Sequence, residues 1–430
     1  MKFYKETNFK EEPWLGQVPK DWATLRLKET LTLLRNGLTI TQNKSGHGYP
    51  VTRIETISEE KVNPNKVGYI TGLNEKELAE YRLIEGDILF SHINSLEHIG
   101  KTAIYEGVPK LLIHGMNLLL LRPDKNKVYP KFLLYLLRFY RMRNIFRAIA
   151  KKAVNQASIN QTELGRVKIP LPSFDEQQKI ANILYCVDLA IQKVDEAIAK
   201  AERLKKGLMQ QLLTKGIGHK EFKETPIGKI PKDWKVVELR EIAQRFISGG
   251  TPSTKEPRYW NGDIPWIRSV HLTGYYIDES VINQYITKEG LKNSASNIVP
   301  KGNLIIATRV GVGKSAVNLI DVAINQDLTG VVIAPSTADP FYLVWYLISP
   351  KIVRMLESFS RGTTIKGVPL DHIKRLKVSL PPLDEQRKIA EILSSLDAIL
   401  RLKEEKKKKL VRMKRRLMDL LLTGKVRVSV

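Results

Sequence analysis

Gly311-Val312-Gly313-Lys314-Ser315 has the composition of a turn that cradles an anion, because backbone amides and a lysine ammonium can surround phosphate oxygens. Its spacing does not fit a nucleotide loop. That motif needs a glycine five residues before the Gly-Lys pair, where this chain has Thr308, and no acidic strand end follows to hold magnesium. A tight turn presenting Arg309 and Lys314 to an anion is expected instead, with Ile99-Gly100-Lys101-Thr102 at the comparable place in the first half. The seven histidines include no HExxH pairing, and spacing assembles no serine, histidine and acid constellation. Neither a catalytic site nor a metal site is therefore expected, and no cofactor. Cys186 is the only cysteine, which excludes an internal disulfide and a cysteine-based metal site and suits a reducing compartment.

Asp339-Pro340-Phe341-Tyr342 is similar to the tetrapeptide with which amino-methyltransferases hold the exocyclic amine of a base. The second proline is missing, no glycine-rich cofactor turn follows an upstream strand, and the first half has Tyr129-Pro130-Lys131-Phe132, without the acid. A helix start is the better reading.

What remains is charge. Seventy Lys and Arg against 45 Asp and Glu give +25 over 430 residues, which calls for a polyanionic partner, nucleic acid first. An anionic membrane is the other option. No apolar run is long enough to span one, and Met1-Lys2-Phe3-Tyr4-Lys5-Glu6 leads into no apolar signal core, so a soluble, cytoplasmic protein is expected. Arg401 to Arg416 concentrates Lys406-Lys407-Lys408-Lys409, Arg412, Lys414, Arg415 and Arg416 against Glu404 and Glu405. That run reads as a solvated helix face, a contact to DNA phosphates or a dock for an acidic partner. Lys44, His47 and Arg53, and later Thr254, Lys255, Arg258, Arg268 and His271, lie in or beside Gly- and Pro-rich stretches expected to be loops, from which such side chains can reach base edges.

These residues must be positioned by a framework that the chain writes twice. Pro172-Ser173-Phe174-Asp175-Glu176-Gln177-Gln178-Lys179-Ile180-Ala181 returns as Pro381-Pro382-Leu383-Asp384-Glu385-Gln386-Arg387-Lys388-Ile389-Ala390, a shift of 384 − 175 = 209. Val18-Pro19-Lys20-Asp21-Trp22 returns as Ile230-Pro231-Lys232-Asp233-Trp234, a shift of 230 − 18 = 212. Two tandem copies of one unit follow, each a globular body and then a long helix. In the bodies, Gly86-Asp87-Ile88-Leu89-Phe90 and Gly302-Asn303-Leu304-Ile305-Ile306 look like the same strand, and helical spacing runs from Tyr129 to Ile149 and from Phe341 to Leu356. The fold class is α+β.

Ser173 and Glu176 have capping-box spacing at the first long helix. Its apolar seam is Ile180, Leu184, Val187, Ile191, Val194, Ile198, Ala201, Leu204, Leu208 and Leu212. Adding 209 gives Ile389, Leu393, Leu396, Leu400, Lys403, Lys407, Leu410, Met413, Leu417 and Leu421, with lysines interrupting the middle. Helices of about 40 residues would each span roughly 60 Å, and burying one seam against the other makes an antiparallel coiled coil with pseudo-twofold symmetry. The alternative packs each helix on its own body or on another subunit. The expected domains are 1–172, a first body; 173–216, the first helix; 217–381, a second body; and 382–425, the second helix.

The pattern resembles the specificity subunits of type I restriction-modification systems. The Leu-Pro-x-x-Asp-Glu-Gln-x-Lys-Ile-Ala phrase, the Pro-Lys-Asp-Trp phrase, Gly250-Thr251-Pro252-Ser253 leading to Tyr259-Trp260 and Ile264-Pro265-Trp266-Ile267, and Arg361-Gly362-Thr363-Thr364 carry the likeness. The first body departs from it, with Asn155-Gln156-Ala157-Ser158-Ile159-Asn160 near the place of the last element. The resemblance implies that each body is a target recognition domain reading one half of a bipartite, asymmetric site in double-stranded DNA. It implies that the paired helices act as ruler and docking platform for two methyltransferase subunits. Restriction and translocase subunits would join through the complex, and the chain itself would be non-catalytic. The candidate DNA-binding residues are Lys44, His47, Arg53 and Lys101 in the first body, where the family's base contacts are harder to carry over. In the second they are Thr254, Lys255, Arg258, Arg268, His271, Arg309, Lys314, Arg361 and Thr363. Two competing expectations are a nucleotide-binding enzyme using the Gly313-Lys314-Ser315 turn and a non-specific nucleic-acid-binding scaffold.

Overall fold

A computed structural model of the chain describes residues 3–12, 16–43, 46–154, 156–360 and 367–428. The chain forms two compact units. Unit 1 is built from the residues up to Asp195 together with those from Glu405 onwards, and unit 2 is Glu196–Glu404. Both long helices, Phe174–Lys215 and Leu383–Leu422, are divided between the units near their midpoints. Each unit is thus a body plus two half-helices.

The sheets of the bodies share an order. In unit 1 the antiparallel strands run Thr102–Ile104, Ile88–Phe90, Leu119–Pro123, Leu31–Asn36. In unit 2 the same sequence of neighbours is Ser315–Asn318, Leu304–Ala307, Leu328–Ile333, Ala243–Ser248, with Tyr276–Ile277 added in parallel beside the first. Successive side chains of a strand point to opposite faces, and here both faces are covered. Ile88, Phe90, Leu119 and Leu121 enter the core beneath the body helix, while Leu89, Leu118 and Leu120 enter a second core on the other face. Leu304 and Ile306 part from Ile305 and Ala307 in the same way. Two-sided burial is why these runs are continuously apolar in the sequence rather than alternating.

The helical spacing from Tyr129 to Ile149 and from Phe341 to Leu356 resolves into two helices in each body. Asn144, at φ 60°, separates Pro130–Met142 from Ile145–Ile149, and Ser349-Pro350 separates Pro340–Leu347 from Pro350–Phe359, where the proline ring and its missing N–H stop the first helix. Asp339 is the N-cap, its carboxylate accepting from the Tyr342 amide at 2.9 Å, which confirms the helix-start reading.

Both repeated phrases are joints between body and helix. Gln177 accepts from the Tyr129 amide at 2.8 Å and donates to the Pro172 carbonyl at 3.1 Å; Gln386 accepts from Asp339 and donates to Pro381, both at 2.8 Å. Trp22 and Trp234 are buried beneath these joints. Ser173 does cap the first long helix, accepting from the Glu176 amide at 3.3 Å, but the Glu176 carboxylate turns away to a different partner. It is gripped by Arg427 at 2.7 and 2.8 Å, and the same guanidinium reaches Asp21 at 3.0 and 3.0 Å and Glu6 at 2.8 Å, so all its donors are used. In unit 2 the corresponding Glu385 accepts from the Ile217 amide at 2.8 Å, His219 Nε2 at 2.9 Å and Trp234 Nε1 at 3.0 Å. His219 Nδ1 faces Asp233 at 3.4 Å. Gly216 and Gly424, at φ +65° and +68°, turn the chain out of each helix, and a Cβ there would meet the rings of Trp234 and Trp22 at 2.7 and 3.0 Å. From these glycines Arg427 and His219 are equally far along the chain, because 424 − 216 and 427 − 219 are both 208. His219, Asp233 and Glu385 are also the one grouping of three potential metal ligands among the described residues. In unit 1 the Arg427 guanidinium fills the corresponding place.

Within each unit the two half-helices are antiparallel. Ile180, Ala181 and Leu184, near the start of the first helix, share a core with Met418, Leu421 and Leu422 at the end of the second; Met209, Leu212 and Leu213 meet Ile389, Ala390 and Leu393 in the same fashion. Body residues complete both cores, so the helix ends pack on each other and on a body. Two expected seam positions fail: Leu204 is 55% exposed and Met413 45% exposed. The stripe passes through Lys205 and Lys414 instead. Lys414 reaches Asp188 at 2.6 Å in unit 1, and Lys205 pairs with Asp397 in unit 2. These are one pair written twice, since 397 − 188 and 414 − 205 are both 209. Tyr135 donates to Asp188 at 2.8 Å, and Lys205 stands 4.9 Å over the Trp345 ring, so each body places an aromatic on its own pair. Lys407, a lysine interrupting the second seam, meets Asp195 at 2.6 Å.

Candidate nucleic-acid interface

In unit 2 the candidate residues stand on loops tied to one another by backbone hydrogen bonds. Strand Ala243–Ser248 runs into Gly249 and Gly250, and a Cβ on Gly249 would strike the carbonyls of Ile324 and Asn325, so only glycine lets the two segments touch. The Gly250 amide donates to Ile324 at 3.0 Å, and Thr251 Oγ1 to Gln326 at 2.5 Å. Trp266 and Trp260 brace this loop from beneath, their indole N–H groups donating to the carbonyls of Gly250 at 3.2 Å and Ser253 at 3.1 Å. The Gly-Thr-Pro-Ser string and the tryptophans after it are therefore one supported loop. The Asn325 amide donates to Ile267, just before Arg268, while the Asp327 carbonyl accepts from the amides of Thr308 and Arg309 at 2.8 and 3.3 Å. Val368 then donates to Thr308 at 2.7 Å. The Gly311 turn closes the ring, since a Cβ on Gly311 would lie 3.7 Å from that of Ser269.

This network brings Arg268, Arg309 and Lys314 onto adjoining turns, all three exposed, and joins to them the segment carrying Thr254 and Lys255, also exposed. Arg268, Arg309, Lys314 and Lys255 make no ion pair among the described residues. Arg258 is exposed but held between Glu256 and Glu289, each at 3.3 Å. His271 is buried: Nδ1 accepts from the Arg268 amide at 2.9 Å, so Nε2 carries the proton and donates to Asn283 at 2.8 Å. It shapes the turn, and neither ring nitrogen is free for a base edge. Lys44, Arg361 and Thr363 lie outside the described residues.

Unit 1 has the same platform with other side chains. The Leu38 amide donates to His114 at 2.9 Å and Ile159 to His92 at 2.9 Å, matching the bonds of Gly250 and Val368 in unit 2, and the Thr52 amide donates to Ile113 at 2.9 Å between the same two segments that the Asn325 amide joins to Ile267 in the opposite sense. Arg53 heads its turn as Arg268 does, with its amide donating to Thr56 Oγ1 at 2.8 Å, but its guanidinium is engaged by Gln42 at 3.2 Å and Glu55 at 3.3 Å. Lys101 bends inward to the Ser58 carbonyl at 2.8 Å, and His47 is exposed. Sequence reasoning passed over His92 and His114, both buried here; burial, the foremost cause for each, lowers their pKa to about 4 from 6.5. His114 Nε2 donates to the Leu118 carbonyl at 3.0 Å. No fixed offset marks these residues: the matched positions His92 and Thr308 lie 308 − 92 = 216 apart and His114 and Ile324 lie 324 − 114 = 210 apart, against 209 and 212 for the repeated phrases.

The Gly311–Lys314 turn joins strands Leu304–Ala307 and Ser315–Asn318, and Ser315 is buried within the second. A nucleotide loop must open onto a helix N-terminus whose amides face the phosphates, so the competing enzyme reading fails here. The basic run of the second long helix divides. Arg401, Lys407 and Lys414 pair with Asp397, Asp195 and Asp188, while Lys406, Lys408, Lys409, Arg412, Arg415 and Arg416 are exposed. No described helix is long and apolar enough to cross a membrane.

The family model for the type I restriction modification DNA specificity domain matches residues 19–203 and 231–412. Over 433 residues the chain is 43% identical to the putative type I restriction enzyme MjaX specificity subunit of Methanocaldococcus jannaschii, covering 100% of this chain and 99% of that protein. The type I restriction enzyme MjaVIII specificity subunit of the same organism is 28% identical, covering 100% and 98%. Among solved structures, the type I restriction-modification S subunit from M. genitalium has the same fold, with a TM-score of 0.59 at 16% identity over 93% of this chain and 96% of that one. A chain from a type I system solved for its complex assembly and conformational transition gives 0.54 at 18%, over 95% and 99%. The chain therefore belongs to the family of type I restriction-modification specificity subunits, with the DNA specificity domain present in two tandem copies.

Proposed function

We propose that each unit reads one half of a bipartite, asymmetric site in double-stranded DNA through its ring of tied loops. The helices set the distance between the half-sites and dock the methyltransferase subunits, two of them, and restriction and translocase subunits join through that complex. The chain contributes no catalysis. Adenine methylation and cleavage would belong to its partners, with their S-adenosylmethionine, ATP and magnesium. The observation that carries this reading is the same hydrogen-bonded loop platform in both units bearing different side chains, which suits two readers of unlike half-sites. In unit 2, Arg268, Arg309, Lys314, Lys255 and Thr254 are proposed to meet phosphates or base edges, arginine pairing best with guanine. Lys44, His47, Arg258, Arg361 and Thr363 stay in the proposed contact set. The internal bonds of Arg53, Lys101 and His271 favour a part in holding loops over a direct contact. Binding-site selection with the full chain and its methyltransferase partner tests the proposal. Two short motifs at a fixed separation are expected, with Arg309→Ala weakening one of them; recovery of a single uninterrupted motif, or of none, would overturn it.

A further inference from the structure

The reading turns of unit 2 expose two valines. Val270 is 58% and Val310 49% exposed, the first two residues after Arg268 and the second directly after Arg309. Their turns adjoin, since a Cβ placed on Gly311 would lie 3.7 Å from that of Ser269, and Lys314 stands on the same turn as Val310. A single exposed valine needs no explanation. Two on neighbouring turns, set among arginines and a lysine with no ion pair among the described residues, make a mixed surface with a narrow range of partners. A protein surface apolar enough to want the valines would have to desolvate those cations. The major groove of DNA offers both kinds of contact at once, with phosphates along its rims and the thymine C5-methyl among the base edges.

The architecture does not require the valines. Arg53 and Thr56 bond as Arg268 and His271 do, which sets Glu55 of unit 1 at the place of Val270. The matched bonds to His92 and Thr308 set Asn94 at the place of Val310. Unit 1 is polar at both points, and its longer loop between Ser91 and Lys101 exposes Leu96 further along.

Resting on the proposed DNA-reading role, we infer that Val270 and Val310 pack against thymine methyl groups in the major groove, so that the half-site of unit 2 contains an A·T pair recognised by apolar contact. The test uses the full chain with its methyltransferase partner and the site recovered by selection. Each thymine of both half-sites is replaced in turn by uracil, which differs only in lacking the methyl. At one or two positions of a single half-site, affinity should fall about fourfold, the weight of one buried methyl-sized group at about 0.8 kcal/mol. That discrimination should vanish in Val270→Ala or Val310→Ala, with affinity for the uracil site held within about twofold. Equal affinity for thymine and uracil throughout overturns the inference while leaving the DNA-reading role intact. Failure to recover a bipartite site overturns both. Should the valine variants misfold, the uracil series on the unaltered chain still decides.

Discussion

Replacing Arg427 by alanine should loosen unit 1 and leave unit 2 nearly untouched. Arg427 and Glu176 are both buried and joined by two hydrogen bonds of 2.7 and 2.8 Å, with Asp21 and Glu6 filling the remaining guanidinium donors. Hydrogen bonding to Glu176, foremost, raises the guanidinium pKa above its already high ordinary value, so the cation is present at every working pH. Without it Glu176 stays buried as an unpaired carboxylate, and breaking a buried pair from one side costs about 3–5 kcal/mol. Asp21 and Glu6 are nearer solvent and add little. Urea titration followed by hydrogen exchange with mass-spectrometric readout resolves the units peptide by peptide, which a single global signal cannot do for a two-unit chain. Peptides of the first strand Phe3–Lys5, of its partner Val426–Val428 and of the helix start at Phe174 should lose protection together. A combined Glu176→Gln, Arg427→Met variant should recover most of the loss, since no buried charge is then left alone. A loss below about 1 kcal/mol in Arg427→Ala, or equal loss in both units, would refute the argument that this clamp joins body to helix.

Charge reversal of the duplicated helix pair should be destabilising singly and compensated doubly: Asp188→Lys and Lys414→Asp together should show a coupling of roughly 0.5–3 kcal/mol in a double-mutant cycle. His114 makes unit 1 acid-sensitive. Its folded pKa is lowered to about 4 and the unfolded value is 6.5, so the unfolded chain takes up the proton first. Stability is then full above pH 6.5 and falls by up to about 1.4 kcal/mol per pH unit towards pH 4, a slope that His114→Asn should flatten in thermal unfolding followed by peptide-resolved exchange. Inserting one heptad at the midpoint of both long helices adds about 10.5 Å at about 1.5 Å per residue, or about three base pairs. Site selection should then return a longer spacer or no site, and an unchanged spacer would remove the ruler.

The framework was legible because its residues are repeated and periodic. The recurrence of Asp-Glu-Gln and Lys-Asp-Trp marked the body-to-helix joints, although the partner that unites them was hidden. Arg427 and His219 differ in kind and lie 208 apart, whereas the phrases they serve are shifted by 209 and 212. Only the packing of glycine against tryptophan revealed that they match. The seam was legible at its ends, where Ile180, Leu212, Ile389 and Leu421 are buried, and misread where lysines carry it. A hydrophobicity pattern assigns Leu204 and Met413 to the interface, but a lysine stem can cover apolar surface while its ammonium reaches an aspartate across the helix pair. The loops were legible least. Lys101 and Lys314 are alike in sequence and occupy comparable turns, yet one folds inward to Ser58 and the other stays exposed. No local pattern separates those outcomes, because they depend on a carbonyl more than forty residues away.

That contrast has a physical cause. A joint residue answers to partners inside its own unit, and both copies supply the same partners: Gln177 and Gln386 find the start of a body helix, Trp22 and Trp234 find the turn after a long helix, and Asp188 and Asp397 find a lysine. Replacing a glutamine or an aspartate among them leaves a buried donor, acceptor or charge unsatisfied, and replacing a tryptophan leaves a void, a penalty each copy would bear alone. A residue proposed to read DNA has no such internal partner. Arg268 and Arg309 expose guanidiniums on turns whose geometry is set by backbone amides, by buried His271 and by glycines, so the exposed side chain can change without altering the turn that displays it. The backbone ring of each unit therefore fixes where a side chain is offered, and leaves open which one. Val270 against Glu55, two residues past Arg268 and Arg53 on turns closed by the same kind of bond, is that freedom in use: apolar in one unit and polar in the other.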